Sequence, residues 1–215
     1  IKPHPHGVEL GTLLKILRDS TDRRVVDTLV HSFSRVTPKV AGEICDKAKV
    51  SPKASAATID TRAVERIYRA IPDVKILAPP TNCLVPTGAE LIEKNLRARI
   101  DADFYASCSR PPAVYRGNPF LVEAGLAYGG KLPAEELMEV LRFANRVPLL
   151  YQSGACVITK AVVGTNWKAY GLQQSRGAPP SGPVVLFVQL ASVWVPFTSE
   201  SKEAIAGYPE ISKEI

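Results

Sequence analysis

The chain has 215 residues, of which 46% are hydrophobic and 22% charged, and a formal net charge of +6. That length carries one large or two small domains, and the apolar share suffices for a sizeable core. The sequence shows no signal peptide and no apolar run of 18 residues. The charge excess permits a polyanionic partner without demanding one. Its distribution is uneven: residues 1–80 hold 14 Lys and Arg against 9 Asp and Glu, and residues 81–215 hold 13 against 12. Cys45, Cys83, Cys108 and Cys156 are scattered without a C-x-x-C pair. They read as buried thiols of a reducing, cytoplasmic compartment and not as zinc ligands. The start at Ile1 suggests a processed or excised product.

In chain order, residues 1–72 read as helical. Val8, Leu10, Leu13, Leu14 and Leu17 mark a first helix, and Val25, Val26, Leu29, Val30 and Phe33 a second. Thr37 and Pro38 form a helix start, with Thr37 as cap and Pro38 in the first helical position. A break at Val50–Lys53 leads into a small-residue linker to about Asp60. A last helix places Val64, Ile67, Tyr68 and Ile71 on one side and ends at Pro72. Arg62, Arg66 and Arg69 share another face of that helix. They are either a solvated surface or a phosphate-contacting stripe.

A proline-bearing linker over 73–86 follows, and then the pattern changes. Thr87–Glu90 reads as a capping box opening a helix with Leu91, Ile92 and Leu96 inside. Strand-like runs cover 104–109, 114–116, 120–128, 138–143 and 147–151. Cys156–Val163 reads as a helix, Val184–Val195 as a buried strand, and Ser199 as a helix start. The expected fold is α+β, with one sheet, helices on one of its faces, and a right-handed crossover if the strands flanking the helix are parallel.

Few residue patterns carry chemistry. Gly125–Leu132 nearly matches a phosphate-binding loop, but Leu132 stands where a metal-binding hydroxyl is needed and Pro133 follows, so it reads as a strand ending in a glycine turn. His4 and His6 flank Pro5 with no third ligand nearby and read as a turn into the first helix. His31 reads as a surface or packed histidine. No G-x-S-x-G elbow and no paired acid and base are present. Two features remain. In Trp167-Lys168-Ala169-Tyr170-Gly171, two aromatics surround a cation, a pattern suited to bases and phosphates, or else to a core-anchored Trp. In Ser199–Ile205, a capping serine and Lys202 at a helix start could meet an anion, or Lys202 could be solvated.

Taken together, Ile1–Gly7, Asn118–Gly125, Arg142–Leu149, Asn166–Gly171 and Ser201–Ala206 resemble, in order, blocks of the B subunit of archaeal type IIB DNA topoisomerases, after the ATPase domain. The resemblance implies a helix-two-turn-helix domain over residues 1–75. It implies a transducer domain of the ribosomal-S5-domain-2-like fold over 76–215, cut before the end of its C-terminal helix. It further implies a heterotetramer of two A and two B subunits that relaxes supercoiled double-stranded DNA with ATP and Mg²⁺, by passing one duplex through a break in another. In that family the A subunit cleaves, and the B subunits dimerise through the ATPase domain. Lys202 matches the switch lysine that contacts the γ-phosphate. Trp167, Lys168 and Tyr170 match the W-K-x-Y motif implicated in DNA contact. The nucleotide-binding motifs are absent, so the segment itself should be inactive, in a cytoplasmic, nucleoid-associated setting. Two competing readings are a free-standing nucleic-acid-binding module and, lacking its phosphate loop, a small-molecule kinase of the same fold.

Overall fold

The computed structural model describes residues 2–215; Ile1, the first residue of the N-terminal motif, lies outside the described residues. The fold is mixed α+β, with seven α-helices and a six-stranded sheet among the described residues. Two compact units divide the chain. One runs to Pro80 and includes Val114–Asn118; the other comprises Thr81–Ala113 and Pro119–Ile215. No helix is long and apolar enough to cross a membrane.

The first unit holds α1 (Leu10–Arg18), α2 (Val25–Ser32), α3 (Pro38–Ala48) and α4 (Thr61–Ala70), with 3₁₀ turns at Pro5–Gly7 and Ile71–Asp73. Helix α3 starts as its sequence dictates: the Thr37 hydroxyl accepts from the Val40 N–H at 3.3 Å, and Pro38 occupies the first turn. Leu13, Leu17, Leu29, Phe33, Ile44, Val64 and Ile67 form its buried core. Tyr68 does not join them and is 38% exposed. At about 100° per residue, Val64, Ile67 and Ile71 fall within one narrow arc and Tyr68 falls outside it. Residues 50–60 are not a free linker either. Val50, Ala56 and Ile59 are buried, and backbone bonds from Val25 N–H to Ala54 O and from Ala56 N–H to Arg23 O pin the segment down.

His4 is buried in this unit. Its Nε2–H donates to Leu77 O at 3.0 Å, and its Nδ1 accepts from the His6 N–H at 3.3 Å. Burial, the largest influence, holds its pKa below the ordinary 6.5. Gly117, at φ +72°, packs so closely that a Cβ there would lie 2.8 Å from Gly7 N and 3.0 Å from His4 Cβ.

The second unit opens with α5 (Ala89–Arg99). In chain order the strands β1 (Phe104–Ser109), β2 (Ala113–Tyr115), β3 (Asn118–Tyr128), β4 (Glu139–Ala144) and β5 (Val147–Pro148) follow, then α6 (Val157–Gly164), β6 (Val184–Ser192) and α7 (Pro209–Glu214); Val114, Tyr115 and Asn118 count with the first unit. The sheet order is β1-β3-β6-β4-β5, with β2 on β3. Strand β3 runs antiparallel to β1 and β6, whereas β4 and β6 are parallel neighbours joined through α6.

The helices occupy both faces of the sheet, not one. Gly125 lies against Ile92 and Leu96 of α5, while Val162 of α6 packs with Leu126, Val140 and Leu186. Gly125 and Leu126 are successive strand residues and must point to opposite faces. The boundaries also shift. Leu91 is exposed, β5 is only two residues long, and β6 stops at Ser192, leaving Val193 and Trp194 about half exposed. The Ser192 hydroxyl ends β6 by donating to Pro119 O and accepting from the Trp194 N–H. The thiols divide: Cys45 and Cys156 are buried, Cys83 is intermediate and Cys108 exposed.

Candidate functional site

After β6 the chain reverses. Phe197 and Ile205 pair in an isolated antiparallel bridge, with Thr198 N–H bonded to Ala204 O and Ala206 N–H to Pro196 O. The loop tip is a turn closed by Lys202 N–H donating to Ser199 O at 3.1 Å. Lys202 sits at φ 56°, exposed. No helix starts at Ser199: its hydroxyl bonds instead with that of Ser201 at 2.7 Å, and the next helix is α7. The left-handed residue reverses the chain where a helix would have carried it onward. Lys202 therefore lacks the converging N–H groups of a helix start and presents one flexible ammonium. It borders an open cleft of about 580 Å³ with Asn145, Trp194, Phe197, Thr198 and Glu200.

The base of this turn is rigid. Ala204 and Ile205 are fully buried. Ile205 O accepts from the Val157 N–H at the start of α6 at 2.9 Å, and the Ile205 N–H reaches Cys156 Sγ at 3.5 Å. Arg142, 4% exposed on β4, donates to Glu203 O at 3.4 Å, Leu149 O at 2.9 Å and Tyr151 O at 3.0 Å. A buried cation is costly unless its donors are satisfied, and here backbone carbonyls satisfy them. Arg142 thus ties β4 to two loops, one of which carries Lys202.

The second sequence-predicted feature forms at the C-terminal end of α6. Three side chains cap the carbonyls that end this helix. The Thr165 hydroxyl bonds Ala161 O, Trp167 Nε1–H bonds Val162 O at 2.7 Å, and the Gln174 amide bonds Val163 O at 3.0 Å. Trp167–Tyr170 is a 3₁₀ turn closed by Gly171 at φ 82°. Trp167 is half-buried against Met138, Val162 and Val184 and spends its N–H on the cap. Lys168 and Tyr170 are exposed, Tyr170 by 75%. The segment is thus both a core anchor, through Trp167, and a presented surface, through the other two residues.

Arg62, Arg66 and Arg69 are all exposed on α4. Arg66 Nε donates to Ala48 O at the end of α3, at 3.0 Å, which gives it a capping duty there. Lys131, from the near-match to a phosphate loop, pairs with Asp101 at 2.7 Å, and Gly129 and Gly130 form the turn that ends β3.

Sequence reasoning assigned no role to Glu123 or Gln189, which are fully buried. The Glu123 carboxylate accepts from the backbone N–H groups of Thr87 and Gly88 at 2.9 and 2.7 Å, from Ser109 at 3.0 Å and from Gln189 at 2.8 Å. Burial works to raise this carboxyl, but the four hydrogen bonds outweigh it and hold the pKa below the ordinary glutamate value. The expected capping box at Thr87–Glu90 does not form. Glu123 meets the N–H groups before α5, and the Thr87 hydroxyl accepts from Gln189 instead. A polar residue inside an otherwise apolar strand run was the available signal.

A family model described as topoisomerase VI B subunit, transducer, matches residues 79–215. The B subunit of type 2 DNA topoisomerase 6 from Methanococcoides burtonii is 49% identical over 215 residues, and that from Archaeoglobus fulgidus is 44% identical over 214. Each alignment takes in 100% of this chain and 35% of the relative, so the chain spans about a third of the length of these proteins. The B-subunit of DNA gyrase from Myxococcus xanthus is a distant likeness, with TM-score 0.37 and 20% identity over 58% of this chain and 39% of that one.

Proposed function

Because this chain belongs to the topoisomerase VI B-subunit family, matched over its transducer, we propose that it serves as the signal-transmitting and DNA-contacting part of an ATP-dependent type IIB topoisomerase. Such an enzyme relaxes supercoiled DNA by passing one duplex through a double-strand break in another. Residues 76–215 act as the transducer, of ribosomal-S5-domain-2-like type, and residues 1–75 as a helix-two-turn-helix domain. The partners are a cleaving A subunit, a second B subunit and duplex DNA.

The supporting observation is the Lys202 turn: a flexible cation on a base fixed by Ile205, α6 and Arg142. One lysine suits one phosphate. In this reading the residues for base, sugar and Mg²⁺ come from elsewhere in the subunit. ATP, when bound, supplies the terminal phosphate whose loss removes the lysine's partner. The rigid base then passes the change in Lys202 position to the sheet.

Lys202→Ala, tested in the complete subunit assembled with its cleaving partner, should lower ATP-dependent relaxation on the order of ten- to a hundredfold, the size of a coupling between sites. The sheet should stay folded by circular dichroism. Unchanged turnover would remove the sensor role. In the same reading, Lys168→Glu should weaken duplex binding and flatten its salt dependence.

A further inference from the structure

Between Val140 and Ser199 the sequence contains no aspartate or glutamate, yet it holds Arg142, Arg146, Lys160, Lys168 and Arg176. Sixty residues without an acid are unusual when about a quarter of an average chain is charged. The acids that balance the second unit are placed before and after this stretch. Arg142 is buried and serves the Lys202 loop, and Arg146 donates to Pro86 O. The other three, Lys160, Lys168 and Arg176, are exposed and make no ion pair among the described residues.

The fold gathers these three around one helix end. Lys160 lies on α6, one turn before its C-terminus. Lys168 and Tyr170 follow in the 3₁₀ turn that Trp167 fastens to Val162. Arg176 belongs to a short hairpin, in which Gln173 and Ser181 pair and a turn over Ser175–Ala178 forms the tip, with Gly177 at φ 77°. Gln174 fastens that hairpin to the same helix end, bonding Val163 O, Ala178 O and the Trp167 N–H. Trp167 and Gln174 therefore act as two pegs that hold the two cation-bearing segments beside α6.

We infer that Lys160 and Arg176 extend the Lys168–Tyr170 contact into a continuous basic surface for the phosphate backbone of duplex DNA. The inference rests on the DNA-contact reading above and widens it from one motif to three chain segments. The three segments carry no acid of their own to repel a polyphosphate; the exposed Glu135 and Glu136 border only the base of the Arg176 hairpin, where the Gly182 N–H bonds Glu136 O and Ser181 pairs with Leu137, and not its Ser175–Ala178 tip. The pegs fix the cations in place, so less ordering is needed on binding.

The test is a titration of the 215-residue chain with labelled duplex at several salt concentrations. Lys160→Ala and Arg176→Ala should each lower the slope of log K against log salt by roughly 0.9 and weaken binding about eightfold at 0.1 M salt. Lys94→Ala, an exposed lysine beside Glu90 and Glu93 on α5, should change neither. Gln174→Ala should weaken binding without lowering the slope as far, because the cations remain but are less fixed. If Lys168→Glu weakens binding while Lys160→Ala and Arg176→Ala match the parent, the extension is wrong and the motif reading stands. If Lys168→Glu also matches the parent, the DNA reading fails at its root. If the variants lose affinity for poly-glutamate but not for duplex, the surface serves an acidic protein and the inference is overturned.

Discussion

The two units bury different things. The helical unit hides an apolar core, and its buried polar groups are neutral: Thr28 bonds Arg24 O and Ser20, and His4 spends both ring nitrogens on backbone. The sheet unit hides Glu123, Arg142, Gln189 and Ser192 among its aliphatic side chains. The polar groups of the sheet do the work of loops. Glu123 sets the start of α5, Arg142 holds the 149–151 loop and the Lys202 turn, and Ser192 ends β6. An apolar core fixes where elements pack, whereas buried polar groups fix how connecting chain enters and leaves them. The loops that matter for the proposed function lie in the unit built the second way.

Three substitutions would break or sharpen this contrast. Ile67→Ala empties a fully buried site in the helical core and should cost about 2–5 kcal/mol in urea unfolding. Segment-resolved hydrogen exchange should show the loss over 10–74 while β3 and β6 keep their protection. An equal loss in the sheet would mean that the units do not unfold separately. Arg142→Ala leaves three carbonyls without their donor and should cost about 2–4 kcal/mol. Its signature is local: the Lys202 and Ile205 amides should exchange faster, while α5 is unaffected. Uniform loss across the sheet would reduce Arg142 to a packing residue.

Glu123→Gln keeps the shape and removes the charge that four donors face, a smaller loss of about 1–2 kcal/mol at neutral pH. The pH dependence follows from the depressed pKa in the folded state. The unfolded chain binds this proton at higher pH than the folded chain does. The stability Glu123 contributes is therefore complete above the ordinary glutamate range. It falls away as pH drops through that range toward the lower folded value. The variant should lack this component of acid destabilisation. Parallel acid profiles for the two proteins would show that the carboxylate charge contributes nothing through this network.

The sequence by itself determined most elements, because helix periodicity and caps are local. Thr37-Pro38 opened α3 as read, β1 spans the residues its pattern marked, and the order of helix, strand and linker followed hydrophobic spacing along the chain. It also marked Lys202 and Lys168, through residue blocks that resemble those of type IIB topoisomerase B subunits. Tertiary structure decided what depends on distant partners. The Thr87–Glu90 box yielded to Glu123 because a carboxylate 35 residues away, brought over by β3, reaches the Gly88 N–H at 2.7 Å. Ser199 opened a left-handed turn because Ile205 and Phe197 pair behind it. Trp167 became an anchor because α6 ends where its ring can reach Val162. Helices cover both faces of the sheet because strand register, not helix pattern, decides which side each residue faces. At Thr87–Glu90 the local signal was genuine, and a hydrogen bond closed across the fold outweighed it.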